Sequence, residues 1–209
     1  MSKIAINVVL LPSKEAIKKI VKISKKQFKK SNGKIILDKK NCLPHISLVM
    51  GVIDKKDINQ VTDILKETAM QFAPLKIIAN YKSRTSSSGN AISEFAIEKK
   101  DDLQNLHETT INKLNKFLTF DASVDMFFSP PEIEEISLRW IKDHPQHNFD
   151  RFYPHITLEH GQIIEDKIAP ISFLSDTLVL CHLGNRCTCR KVLYSVQLEK
   201  NSFIKKDII

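Results

Sequence analysis

No stretch of this chain is apolar for long enough to cross a membrane. The run IAINVVLL, Ile4 to Leu11, falls well short of the ~20 residues a spanning helix needs and gives way to a lysine-rich segment. The start also lacks the basic region, apolar stretch and small-residue cleavage site of a secretory signal, so a cytoplasmic protein is expected. Cysteine is scarce. Cys42, Cys181, Cys187 and Cys189 are few for 209 residues and unevenly spaced, which is not a disulfide framework and suits a reducing compartment. There is no low-complexity tract and no short-period repeat, which excludes solenoids and arrays. Acidic residues are in deficit: 32 Lys and Arg against 24 Asp and Glu give a formal charge of +8. That balance raises the local concentration of an anionic partner, or serves solubility alone. With 42% hydrophobic residues, the chain can bury a core as one large domain or two small lobes.

What is present alternates between strand and helix patterns. KIAINVVLLP reads as a first strand, and Pro12 with Ser13 opens a helix with Ile17, Ile20, Val21 and Phe28 at helical spacing, closed by Asn32-Gly33. Its other face carries Lys14, Lys18, Lys22, Lys25, Lys26 and Lys29, read as a solvated face rather than a nucleic-acid groove. A strand region, IILDKKNCLPHISLVMG, ends in glycine. A second helix starts near Asp54 and Asp57, with Ile58, Val61, Leu65, Ala69 and Phe72 on one side. The strands LKIIANYKS and AISEFAIEK are joined by a polar turn, RTSSSGN, and a third helix runs from about Asp101 to Phe117. From Asp121 to Asp150 the pattern loosens into an insertion or lobe connection containing Pro130-Pro131. The end returns to strands in PHITLEHG, DTLVLCHL and KVLYSVQLE.

One longer repeat stands out. LPHISL, Leu43 to Leu48, recurs as YPHITL, Tyr153 to Leu158. Side chains alternate faces along a strand, so His45 and Ser47 share one face, and His155 and Thr157 share another, while Ile46 and Ile156 point to the core. A lone strand histidine is usually structural. Two His-x-Ser/Thr units facing each other across a pseudo-twofold cleft would instead supply a general base and a general acid, with the hydroxyls bonding a phosphate's oxygens.

On these motifs and the order of elements around them, the chain resembles the two-histidine phosphoesterase superfamily, and within it the 2′-5′ RNA ligase and 2′,3′-cyclic phosphodiesterase family. The resemblance implies an α+β fold across residues 1–209, a single bilobal, pseudo-twofold domain with two antiparallel sheets forming a central cleft and helices on the outside. It carries catalytic roles onto His45, Ser47, His155 and Thr157, with no metal and no cofactor. Many members have an arginine shortly after the second motif, where this chain has EHG.

The implied activity is metal-independent hydrolysis of 2′,3′-cyclic phosphates or 2′-5′ linkages in RNA ends or small nucleotides. Run backwards on two RNA ends, the same geometry gives ligation. A 2′-phosphate product would make His45 the acid and His155 the base. Phe149, Phe152 and Tyr153 either offer surfaces for base stacking or pack in the core. Arg84, Arg186 and Arg190, with Lys82 and Lys191, are candidate cations for phosphate, each taken singly reading as a surface charge. Thr157 and Glu159 fall two apart, which puts Glu159 on the cleft face and His160 on the structural one. CHLGNRCTC brings Cys181, His182, Cys187 and Cys189 together but lacks zinc spacing. His107, His144 and His147 have no partner motif and read as structural. A monomer with no membrane association is expected. The competing class is an RNA-binding module that keeps the cleft without turnover, and hydrolysis of cyclic nucleotides in a chelator separates the two.

Overall fold

The computed structural model describes residues 2–31, 35–38, 42–85, 91–128, 132–161 and 167–199. Its strands form two four-stranded antiparallel sheets. The first, in the order β2-β1-β7-β8, is made of β1 (Lys3–Leu11), β2 (Ile46–Asp54), β7 (Thr177–Leu183) and β8 (Cys189–Gln197). The second, in the order β5-β4-β3-β6, is made of β3 (Leu75–Thr85), β4 (Ala91–Ile97), β5 (His155–Gly161) and β6 (Ile171–Ser175). The architecture is the expected α+β one. The outer strands of the chain build one sheet and the inner strands the other, so the two motifs end up on different sheets. Each lies at a sheet edge, on β2 and β5.

The helices are α1 (Lys14–Ser31), α2 (Ile58–Ala69), α3 (Asp101–Leu114) and α4 (Glu135–Asp143). Ser13 begins α1, its Oγ accepting the Ala16 N–H at 3.3 Å, as a capping residue should. Asn32 and Gly33, expected to close it, lie outside the described residues, as do most of the RTSSSGN turn and Pro130-Pro131. α1 leaves the first sheet and packs on β5, whereas α3 leaves the second and packs on β2. Each sheet is thus covered by a helix that follows a strand of the other. Ile4, Ile6, Val8 and Leu10 of β1, Ile46 and Leu48 of β2, Phe95 of β4, and Ile156 and Leu158 of β5 share one core. Apolar burial at ~25 cal/mol per Å2 therefore ties both sheets into one unit.

The structure departs from the sequence reading in several places. The strand region around the first motif is regular only from Ile46, and it runs past Gly51 to Asp54. α3 stops at Leu114 and tightens into a 3-10 turn through Phe117. β6 and α4 are elements the sequence pattern did not resolve. Cys181 and Cys189 form a disulfide between β7 and β8, with Cα atoms 5.5 Å apart. A count of cysteines without a hairpin register could not show that pairing. Cys42 and Cys187 are free and buried. No helix among the described residues is long and apolar enough to cross a membrane.

Candidate active site

Each motif histidine is held in the same way. His45, just ahead of β2, donates its Nδ1–H to the Leu43 carbonyl at 2.7 Å. His155, the first residue of β5, donates its Nδ1–H to the Tyr153 carbonyl at 2.9 Å. A main-chain acceptor on Nδ1 fixes the tautomer and leaves Nε2 of each ring as the unprotonated nitrogen. Leu43 is itself tied down, its N–H donating to the Cys189 carbonyl at 3.4 Å. Ser47 Oγ accepts a hydrogen bond from Asn7 Nδ2 at 2.8 Å, so its own proton remains for another acceptor. Asn7 stands fully buried in the middle of β1, where every other residue from Ile4 to Leu11 is apolar. Thr157 lies directly across from Glu94 of β4.

Beyond each motif the pairing slips by one residue. On β2 the register passes from Ser47 opposite Val9 to Val49 opposite Val8, leaving Leu48 extra. On β5 it passes from Thr157 opposite Glu94 to Glu159 opposite Ser93, leaving Leu158 extra. Both are β-bulges, and a bulge reverses the in-out phase of everything after it. A bulge also frees a buried carbonyl, which must find a donor. Leu158 O accepts from Ser24 of α1 at 2.8 Å, and Leu48 O accepts from His107 Nδ1 of α3 at 2.8 Å. That accounts for His107, which is fully buried and also accepts the Phe149 N–H at Nε2.

The bulge corrects two sequence expectations. Glu159 turns away from the cleft, its Oε1 accepting the N–H groups of Ile35 and His160 at 3.3 and 2.6 Å. His160, expected to be structural, faces inward. Met50 does the same on β2. Both line one cavity of about 900 Å3 together with His45, Ser47, His155 and Thr157.

Burial depresses two of the cleft histidines. Burial pushes the His45 pKa down to about 4, the Leu43 hydrogen bond opposing this and the charge of His155 adding to it. Burial likewise pushes His160 to about 4, helped by Arg186. Under His155 sits a carboxylate network. Glu94, fully buried, accepts from Arg84 Nε at 3.0 Å and from the Tyr153 hydroxyl at 2.6 Å. Burial alone would raise the Glu94 pKa, but Arg84, His155 and Tyr153 together hold it low. Burial and the Glu94 bond raise Tyr153 to about 12, so its hydroxyl stays protonated and donating. The Tyr153 ring stacks on His155 with centroids 5.4 Å apart.

The other expected contacts fare unevenly. Arg84, Tyr153 and Phe152 line the cavity, but Phe152 stacks flat on His107 at 4.0 Å, so that face of its ring is not open to a base. Arg186 lines it too, with Nε and Nη2 held by the two oxygens of Glu134 at 2.8 and 2.6 Å. Arg190 does not line it, because its aliphatic stem packs over Gly184, whose missing Cβ makes the room. Lys82, Lys191 and Phe149 also lie off this cavity. The soft ligands of CHLGNRCTC are dispersed: Cys181 and Cys189 are bonded to each other, and His182 Nε2 is 2.9 Å from the Met126 carbonyl.

The segment read as a connection supplies a wall of the cleft. Arg139, Trp140, Asp143, His144 and His147 line it at positions one, two, five, six and nine of a helical stripe running through α4 and the 3-10 turn after it. That spacing was the signal available in the sequence. His144 also clips this wall to β2, its Nε2 accepting the Met50 N–H at 3.0 Å.

No family model matches the chain, and no curated protein matches it in sequence. Solved structures do. TT0787 of Thermus thermophilus superposes with a TM-score of 0.59 at 12% identity, covering 95% of this chain and all of that one. Escherichia coli LigT complexed with phosphate gives 0.57 at 12% identity over 96% of this chain and all of that one. LigT complexed with 3′-AMP gives 0.56 at 11% identity over 94% and 99%. The chain shares the fold of TT0787 and LigT. At this identity the likeness is one of fold. The chemistry has to be argued from the residues in the cleft.

Proposed function

We propose that this protein is a metal-independent phosphodiesterase of the two-histidine type, acting on 2′,3′-cyclic phosphates or 2′-5′ linkages of RNA ends or nucleotides, with ligation as the reverse reaction. The observation that carries this reading is the matched pair of imidazoles. Both are tethered at Nδ1 to a main-chain carbonyl two residues earlier, and both line one cleft beside a hydroxyl. One ring takes the proton of the attacking water as its oxygen bonds to phosphorus; the other protonates the ribose oxygen as its bond to phosphorus breaks. Ser47 and Thr157 would donate to the non-bridging oxygens, where charge gathers. LigT, a protein of this fold, has been solved in complex with phosphate, which supports an anionic ligand.

Product regiochemistry assigns the two roles. A 2′-phosphate makes His45 the acid, as the resemblance implies; a 3′-phosphate makes it the base, as its lowered pKa favours. The deciding assay incubates purified protein with 2′,3′-cyclic nucleotides in excess chelator. Turnover that is lost in both His45→Ala and His155→Ala supports the reading. Binding without turnover would instead leave an RNA-binding module, and strict dependence on a divalent ion would remove the metal-independent mechanism.

A further inference from the structure

β5 places a third histidine in the cleft that paired-imidazole chemistry does not use. His160 stands five residues beyond His155, and only the extra residue Leu158 turns it inward. It is 6% exposed, yet neither ring nitrogen hydrogen-bonds to a described residue. Buried imidazoles ordinarily have partners, as His107 has in Leu48 and Phe149. Against the His160 ring lies the indole of Trp140 on α4, with centroids 5.5 Å apart and planes inclined at 31°. Trp140 is half-buried in the same cavity wall.

We propose that His160 and Trp140 form a nucleobase subsite, the indole stacking against the base and the imidazole nitrogens bonding its polar edge. This rests on the phosphodiesterase reading and extends it from the phosphate to the rest of the nucleotide. A base fits better than a second phosphate. Burial and the charge of Arg186 keep His160 neutral, so its ring offers one donor and one acceptor. A heterocycle edge mixes both, whereas phosphate oxygens only accept. Arg186 beside it is already held by two oxygens of Glu134. The flat indole suits the face of any base. The cavity, at about 900 Å3, has room for a nucleoside beyond the phosphate.

Trp140 is the only tryptophan in the chain, so its fluorescence reports on this subsite alone. The full-length protein is titrated with adenosine 3′-monophosphate and, separately, with inorganic phosphate, each also followed by calorimetry. The nucleotide should quench the indole saturably and phosphate should not. His160→Ala should weaken nucleotide binding about tenfold or more while phosphate affinity holds. His160→Phe keeps a ring beside Trp140 without the nitrogens, and serves if the alanine variant does not fold; it too should bind the nucleotide more weakly. Calorimetric binding of the nucleotide with no change in fluorescence overturns the subsite, as does wild-type affinity in a folded His160 variant. Those results leave the phosphodiesterase reading standing if cyclic nucleotides are still hydrolysed. A protein that binds neither ligand and hydrolyses nothing overturns both.

Discussion

The wall formed by α4 should come loose in mild acid, and His144 sets the size of the effect. Its Nε2 accepts the Met50 N–H, and burial, with the charges of His107 and His147 adding, pushes its pKa from 6.5 to about 3. A protonated ring would turn an N–H toward another N–H, so the folded state resists the proton. In the unfolded chain the same histidine titrates near its ordinary value. The unfolded state therefore binds more protons below about pH 7.5, and stability falls as pH drops from there toward the folded pKa. Above about pH 7.5 neither state is charged and the term vanishes. Between about pH 7.5 and about pH 5 the difference amounts to about 2 kcal/mol for His144. His160, held to about 4 and buried, contributes in the same direction over the same window. Such losses are a large part of the ~5–15 kcal/mol by which domains of this kind are stable. Urea unfolding followed by Trp140 fluorescence measures the fall. His144→Gln keeps an acceptor near Met50 but cannot titrate, so it should lose about 2 kcal/mol less than wild type over that interval. Equal losses in the two proteins would refute the argument.

His45→Ala and His155→Ala should each lower turnover of a cyclic nucleotide by on the order of 10²–10⁴-fold, and the double variant should be little worse, because acid and base act in one displacement. Rate assays on the three variants check this. Ser47→Ala and Thr157→Ala should cost less in kcat and also raise KM, since a hydroxyl that donates to phosphate oxygens acts in binding as well as in reaction. Tyr153→Phe removes the hydrogen bond to Glu94 but keeps the ring over His155. It should lower kcat by about fivefold, the worth of ~1 kcal/mol, with KM little changed, and a pure KM effect would show that Tyr153 contacts substrate rather than positioning His155.

Period-two alternation served well up to the bulges and failed after them. His45 with Ser47 and His155 with Thr157 precede Leu48 and Leu158, so their faces could be read from spacing alone. Glu159 and His160 follow the bulge, and nothing in TLEHG announces a slip of register that pairing with β4 creates. α4 was obscured differently. It is nine residues long and follows a proline pair, so its stripe is short and easily taken for a loop. Arg186 looked like a free cation because its partner Glu134 lies 52 positions away in that same segment. Asn7 was visible as a polar residue inside an apolar strand, but its bond to Ser47 depends on β1 and β2 pairing.

On the proposed function, the two bulges would also let a repeated motif serve an unsymmetrical substrate. Each places a fifth residue after its histidine in the cleft, and those residues differ: Met50 on β2 and His160 on β5. At the two motifs the halves are alike, an imidazole and a hydroxyl from each. Farther along they diverge. The β2 side carries a thioether, and its Met50 N–H is already held by His144. The β5 side carries an imidazole beside an indole. A cyclic phosphodiester is nearly symmetric about phosphorus, but the nucleoside attached to it is not. Matching chemistry at the centre with dissimilar flanks is the arrangement such a ligand requires, and a one-residue insertion in each strand is enough to produce it.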